Sequence, residues 1–475
     1  MSTEHCDVIV LGAGIGGLAC AYYAKKAGLS VELIEETSRP GGVIRSLRKD
    51  GFLLEFGPNT VQPTAELMEI IRDLELSGEV VLADEKSPRY IQLKGSLHQI
   101  PMSPAAIFKT DILTFFGKLR LLLEPLIPAD RNENDESIAV FFRRRLGKEA
   151  TEKLLWPFVS GVWAGDPEKL SMKSTFGTLF EYEKKHGSLL KGFLKNLKEI
   201  KSKAAAVPKG LLNFKEGLEV LAVKLAAFLQ KEMIYGEITE EVIPPISPNQ
   251  FPRWKIRTSH REITSDFLVF ALPTRDVSKL VKPFASGTAW SLSEIPTVPI
   301  AVIHLGCNKN SLNRELDGFG FLTGSQERSD ILGCLWNSSL FPNRAPQGKE
   351  LLTVLIGGAK QGEKVFLNDT LITHKVYASL APILKFREFP EVLAIYRHEA
   401  AIPQYTLGHP SRLKVFENAQ KSFPGLRFAG NYLNGIGVGN VIQLSKKVAE
   451  DVWEESKTIP QTVREKTLFS PGWGR

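Results

Sequence analysis

Gly12, Gly14 and Gly17 follow directly on the apolar run Asp7–Leu11. Glycines at that spacing bring a phosphate up to the main chain. The first permits a tight turn, the second lets a pyrophosphate reach the backbone, and the third lets helix and strand pack closely. Glu35 closes a second apolar run, where a carboxylate takes both ribose hydroxyls and disfavours a 2′-phosphate, so NADP is the weakest of the dinucleotides. Arg39-Pro40-Gly41-Gly42 then makes a turn with a cation beside the expected pyrophosphate. A NAD dehydrogenase would run on here into another plain βαβ unit. A second glycine-rich turn lies far along the chain, between the run Leu426–Ala429 and a long helical pattern. There Gly430 and the stretch Val438, Gly439, Asn440, Val441, Ile442 offer unpaired N–H groups and the positive end of a helix. One such turn near each end of the chain suits an extended FAD. Its pyrophosphate would sit on the first turn, and its ribityl chain and flavin ring on the second.

No Ser/His/Asp set and no paired carboxylates stand out, so the cofactor is expected to carry the chemistry, with no protein group acting catalytically. Tyr405 and His409, in "PQYTLGH", are expected to shape a turn rather than to act as bases. Four scattered cysteines (Cys6, Cys20, Cys307, Cys334) form neither a disulfide framework nor a metal-ligand spacing. The net charge of +7 fits an anionic small molecule or surface, and no motif points to nucleic acid. No apolar run reaches the length of a membrane span. The polar start leads straight into the first strand, which leaves no room for a leader and implies a cytoplasmic protein.

The elements that must hold these residues read as α/β, a Rossmann-like dinucleotide-binding domain with a mixed-sheet second domain and an α-helical insertion. The expected FAD-binding domain is discontinuous, over 1–86, 213–285 and 406–457. Residues 87–100 and 286–405 form the substrate-binding domain, 101–212 the insertion, and 458–475 a disordered tail. The run Phe214–Gln230 is expected to be a helix. Within the insertion, "EKKHGSLLKGFLKNLKEIKSKAAAVPKG" sets Leu190, Leu194, Leu197 and Ile200 on one helical face, with seven lysines on the rest. Such a helix can lie on an anionic membrane or pack on its own core.

The chain resembles the FAD-dependent protoporphyrinogen oxidases of the amine-oxidase-like flavoprotein superfamily, from Cys6 to about Trp453. GAGIGG with RPGG marks the superfamily. The more specific stretches are "SGVWAGDPEKLSMKS" (Ser160–Ser174), "GFGFLT" (Gly318–Thr323), "SSLFPNRAPQGKELLTVLIGG" (Ser338–Gly358) and "IPQYTLGH" (Ile402–His409). Glu216-Gly217 and Asn440-Val441 depart from the usual Gly-Gly and Asp-Cys. The resemblance implies FAD contacts at Gly12, Gly14, Gly17, Glu35, Arg39, Gly41 and Gly42, at the backbone of Val242 beside adenine, and at Val438–Ile442 under the flavin. It implies that Arg89 pairs with a porphyrin propionate and that Phe319, Gly320, Leu322 and Leu355 line the tetrapyrrole cavity. The implied reaction takes protoporphyrinogen IX to protoporphyrin IX, with hydride passing to flavin and molecular oxygen as acceptor. Coproporphyrinogen III is the rival substrate, and an amine oxidase or desaturase the more distant alternative. The resemblance also favours peripheral contact of 101–212 with the inner face of the cytoplasmic membrane. Association into a homodimer stays open.

Overall fold

The computed structural model describes residues 4–130, 134–197, 202, 207–247, 251 and 253–459. Its first sheet runs, in spatial order, Thr239–Ile243, Trp254–Thr258, Glu262–Phe270, Glu4–Leu11, Val31–Glu35 and Met233–Tyr235, and Leu426–Phe428 also pairs with Glu262–Phe270. The central strands are parallel. Val8, Ile9, Val10 and Leu11 are all buried, as expected of a parallel strand covered on both faces. The helix Ile15–Lys26 packs over this sheet beside the final helix, Val438–Ser456. Its run of glycine and alanine buries every residue from Gly16 to Ala24 and lets the two helices approach. Gly28 ends it in a left-handed conformation, and Leu29 N–H donates back to Ala24 C=O at 3.1 Å.

The second sheet runs Glu391–Pro403, Thr297–Asn308, Lys349–Gly357, Gly333–Trp336, Gly320–Thr323, Arg89–Leu93 and Ser96–Gln99. One face, carrying Phe321, Trp336, Val354 and Ile303, packs on the helix Asp369–Leu384 through Ile372, Val376 and Leu380. Alternation along each strand turns Arg89, Gly320, Leu322, Gly333 and Leu355 to the other face. The segment between Pro104 and Lys195 is a set of short helices. Arg145 at its centre is fully buried and paired with Glu124 and Glu183.

Three expectations change. The basic run is not one amphipathic helix. Gly187, left-handed at φ 71°, breaks it into Gly177–His186 and Leu189–Lys195, and Ser188 caps the second. Lys198, Ile200, Lys201 and Lys203 lie outside the described residues. The helix expected over Phe214–Gln230 spans Glu219–Phe228, because Leu212–Phe214 pairs as a strand with Val80–Leu82. Thr458 and Ile459, expected in the loose tail, are structured. Thr458 N–H donates to Glu455 C=O, and Ile459 is buried in the first core. Residues 460–475 lie outside the described residues. Among the described residues no helix is long and apolar enough to cross a membrane.

Candidate active site

The two glycine turns, far apart in sequence, meet in the fold. A Cβ added at Gly16 would lie 2.6 Å from Ala429 O and 3.1 Å from Val441 Cγ1. Ser445 Oγ donates to Gly16 C=O at 2.9 Å, fastening the final helix to the first. The Arg39–Gly42 turn joins them. Gly41 N–H donates to Ala13 C=O at 2.8 Å, and Gly42 packs against Gly14 Cα. Glu35 lies at this junction, accepting from Ala13 N–H at 2.7 Å and from Thr37 N–H and Oγ.

Both helix starts are left open. Gly14 caps Ile15–Lys26 and Gly437 caps Val438–Ser456, neither with a side-chain hydrogen bond, and neither first turn holds an acidic residue. Four helices elsewhere carry Glu66, Glu219, Asp276 or Asp369 in that position. Acid there would neutralise the helix's positive end, so its absence leaves two adjacent N-termini free to receive anionic groups. A Cβ at Gly14 would meet nothing within 4 Å, the open space that a phosphate approaching the backbone requires. This chemistry fits a dinucleotide. The Asn440 side chain folds back across the second turn, where a Cβ built at Gly435 would come within 2.9 Å of it and one at Gly437 within 3.0 Å of its Oδ1.

Two of the expected contact residues have partners within the protein. The Arg39 guanidinium is committed within its own turn, donating to Pro40, Gly42 and Ile44 carbonyls and lying 3.6 Å from Glu219. Val242 is buried on the outermost strand, paired with Ile256, and that strand is three steps from the opening strand, roughly 14 Å at ~4.8 Å per step. The stretch that passes beside Glu35 is Gly236–Glu237, just before that strand. Glu237 N–H donates to Glu35 C=O at 3.3 Å, and Ile238 is exposed.

On the second sheet, register collects the remaining residues. Leu322 sits opposite Gly333, and Gly333 opposite Leu355, so the two leucines share one row with a glycine gap between them. Gly161, from the helix Trp156–Val162, lies directly over Leu322, where a methyl would overlap it. Gly320 is level with Arg89 on the neighbouring strand, and its φ of 109° demands glycine. The Arg89 guanidinium lies 4.3 Å from the centre of the Phe319 ring. Its side-chain polar contact is Met102 Sδ at 3.7 Å, and among the described residues it has no carboxylate partner. Burial lowers its pKa, with no carboxylate to offset that.

A chain of contacts connects this slot to the glycine turns. Asn337 Nδ2 donates to Asn59 Oδ1 at 2.7 Å, and Gln62 and Thr64 of the same loop bound Gly439. Tyr405, just past the edge strand, donates to Asn431 C=O at 2.6 Å and accepts from Gly435 N–H at 2.8 Å. Its ring stacks on the fully buried His409, 4.2 Å between centroids. Both rings are enclosed; Tyr405 holds the turn through its hydroxyl, and His409 packs flat against it.

Comparison with known proteins agrees with this architecture. A model of the family described as flavin containing amine oxidoreductase matches residues 15–453. The chloroplastic protoporphyrinogen oxidase of Nicotiana tabacum is 30% identical, over 94% of this chain and 85% of its own. The coproporphyrinogen III oxidase of Bacillus subtilis (strain 168) is 28% identical, over 95% of this chain and 98% of its own. A solved structure from Exiguobacterium sp. 255-15, named as a candidate protoporphyrinogen oxidase, superposes with a TM-score of 0.78 at 26% identity, covering 96% of this chain and all of that one. With paired glycine turns beneath open helix starts and a family match across most of its length, the chain belongs to the flavin containing amine oxidoreductases and is a flavin-dependent oxidoreductase.

Proposed function

We propose that the protein oxidises protoporphyrinogen IX to protoporphyrin IX, with FAD as its flavin and molecular oxygen as acceptor, giving hydrogen peroxide. The observation that carries this reading is Arg89, a half-buried guanidinium with no carboxylate partner among the described residues, beside an apolar slot. A tetrapyrrole with carboxylates along one edge needs those two surfaces together. FAD rather than a shorter flavin is supported by the two turns, since only a dinucleotide has a pyrophosphate for one and a ring for the other. In this reading residues 1–86, 213–285 and 406–457 bind the cofactor, 87–100 and 286–405 the substrate, and 101–212 forms the insertion.

FAD, when bound, supplies the hydride acceptor. Arg89 clamps a propionate with two parallel N–H donors, which a lysine cannot do. Phe319 packs against a pyrrole, and Gly320 leaves the backbone flat beneath it. Leu322 and Leu355 exclude water and hold a meso carbon toward the flavin, so catalysis comes from orientation and from the driving force of aromatisation. Pyrrole N–H protons leave to solvent without a dedicated base.

The insertion also supports peripheral membrane contact. Phe115, Phe116 and Leu126 are 74%, 78% and 75% exposed, with Lys118 and Lys191 nearby in sequence or contact. An apolar surface edged by lysines suits an anionic bilayer. The relatives named coproporphyrinogen III oxidase span this chain as fully as those named protoporphyrinogen oxidase, so that substrate is the alternative.

The test gives purified protein each porphyrinogen in air and follows porphyrin fluorescence and peroxide. Faster turnover of protoporphyrinogen is expected, with Arg89→Met raising KM by about 10- to 100-fold, the size of a lost charge-assisted pair. A clear preference for coproporphyrinogen moves the assignment to that substrate. A flavin-loaded protein that oxidises neither refutes it.

A further inference from the structure

With Arg39 committed to its own turn, Arg45 is a cation near it without a charged partner among the described residues. Its side chain makes no hydrogen bond or ion pair among the described residues. It is held by two rings, with the guanidinium carbon 5.6 Å from the Phe56 centroid and 6.0 Å from that of Tyr396. Arg45 directly precedes the strand Ser46–Lys49. The next residue, Ser46, faces the acids, with its hydroxyl on Glu55 at 2.6 Å and its N–H on Glu219 at 3.0 Å. The Arg45 side chain goes the other way, to the Phe56 and Tyr396 rings.

That other way is the seam between the sheets. Gly42, three residues earlier, packs on Gly14, and Val43 is half exposed. Phe56, which receives Arg45, also accepts from His398 Nε2 at 2.7 Å through its carbonyl, joining the edge strand Glu391–Pro403 to the cofactor half. Tyr396 sits opposite Val302, in the same cross-strand row as Leu355, Gly333 and Leu322. Arg45 thus stands where the pyrophosphate turn meets the slot, five strands across from Arg89.

We propose that Arg45 faces the flavin end of the bound dinucleotide and stabilises the negative charge that the cofactor gains on accepting a hydride. Each reduction brings in two electrons and one proton, and so adds one negative charge. A nearby cation shielded from water by two rings favours the reduced form. This rests on FAD lying across the two glycine turns as proposed above.

The test is the midpoint potential of the protein-bound flavin, measured by dye equilibration in wild type, Arg45→Met and Arg45→Lys. Methionine keeps the stem between the rings and removes the charge. The expected result is an oxidised-to-reduced ratio about tenfold larger in Arg45→Met, as one partly buried charge would give. For a two-electron couple that is a shift of about 30 mV to more negative potential. Arg45→Lys should stay within about twofold of wild type. Equal potentials in all three, or an effect of Arg45→Met seen only in substrate KM, overturn the proposal. If Arg45→Met fails to retain flavin, tight binding by Arg45→Lys supports it, and equal failure of both shows a merely structural arginine. Wild-type protein that carries no FAD would defeat the cofactor reading instead, a separate outcome.

Discussion

Gly14 and Gly17 are three residues apart in one motif, and the structure gives them opposite reasons to be glycine. A methyl at Gly17 would overlap the Gly12 carbonyl oxygen and press on Ala271 Cβ at 3.2 Å, so the helix Ile15–Lys26 could not sit down on its strand. Overpacking of backbone against backbone costs ~3 kcal/mol. A methyl at Gly14 would meet nothing within 4 Å, and the backbone there, φ −64° and ψ 173°, is open to any residue. Two small terms oppose each other in Gly14→Ala. Loss of chain entropy in the unfolded state favours it by about 0.4–1 kcal/mol, and alanine's poor capping disfavours it by a similar amount. The apoprotein should therefore melt within a few degrees of wild type. The flavin should not tolerate the change, because the methyl occupies the space a phosphate needs to reach the helix N–H groups. Losing one charge-assisted hydrogen bond costs about 1.5–3 kcal/mol, so FAD affinity should fall about 10- to 150-fold. Calorimetric melting of the apoproteins and titration of FAD by absorbance read the two effects separately. A Gly14→Ala protein that binds FAD as wild type does, or whose apoprotein is as destabilised as Gly17→Ala, would refute the reasoning.

Other perturbations have equally specific outcomes. Glu124→Ala leaves Arg145 buried without its main partner and Ser188 and Leu189 without their acceptor, so a loss of about 3–5 kcal/mol is expected. Limited proteolysis should show early cleavage between residues 104 and 195, and unchanged protease resistance there would count against the network. Burial holds His304 and His409 at pKa values of about 4, down from 6.5. The unfolded chain therefore takes up more protons between these values, and stability should be complete above pH 6.5 and fall as pH drops toward 4, by up to ~3 kcal/mol per histidine. His304→Gln should make melting temperature less dependent on pH across that window, and an unchanged slope would show that His304 is not responsible. His409→Ala removes the ring stacked on Tyr405 and should lower the melting temperature while leaving turnover per bound flavin within about tenfold. A far larger loss of turnover in a folded, flavin-loaded variant would make His409 a base after all.

What the sequence determined by itself is local chemistry. The glycine turns at Gly12–Gly17 and Gly430–Gly439, the carboxylate of Glu35 and the apolar strands around them are legible because a phosphate-binding turn needs particular backbone conformations within a few residues. The folded chain then uses those residues together. The helical start at Ile15 and its stop at Gly28 are legible for the same reason. Which groups end up with partners was set by the fold. Arg39 and Arg45 look alike in sequence. Carbonyls and Glu219 converge on the first, and the second, among the described residues, is met only by two aromatic rings. Leu322 and Leu355 become neighbours through the register of three strands and the missing side chain of Gly333. Val242 and Glu237 are five positions apart, yet one is carried to the sheet's outer edge and the other is bonded to the Glu35 backbone. A residue's own chemistry is written in its type. Whether its charge is free or its face exposed depends on segments hundreds of residues away, and packing them together is the work of the fold.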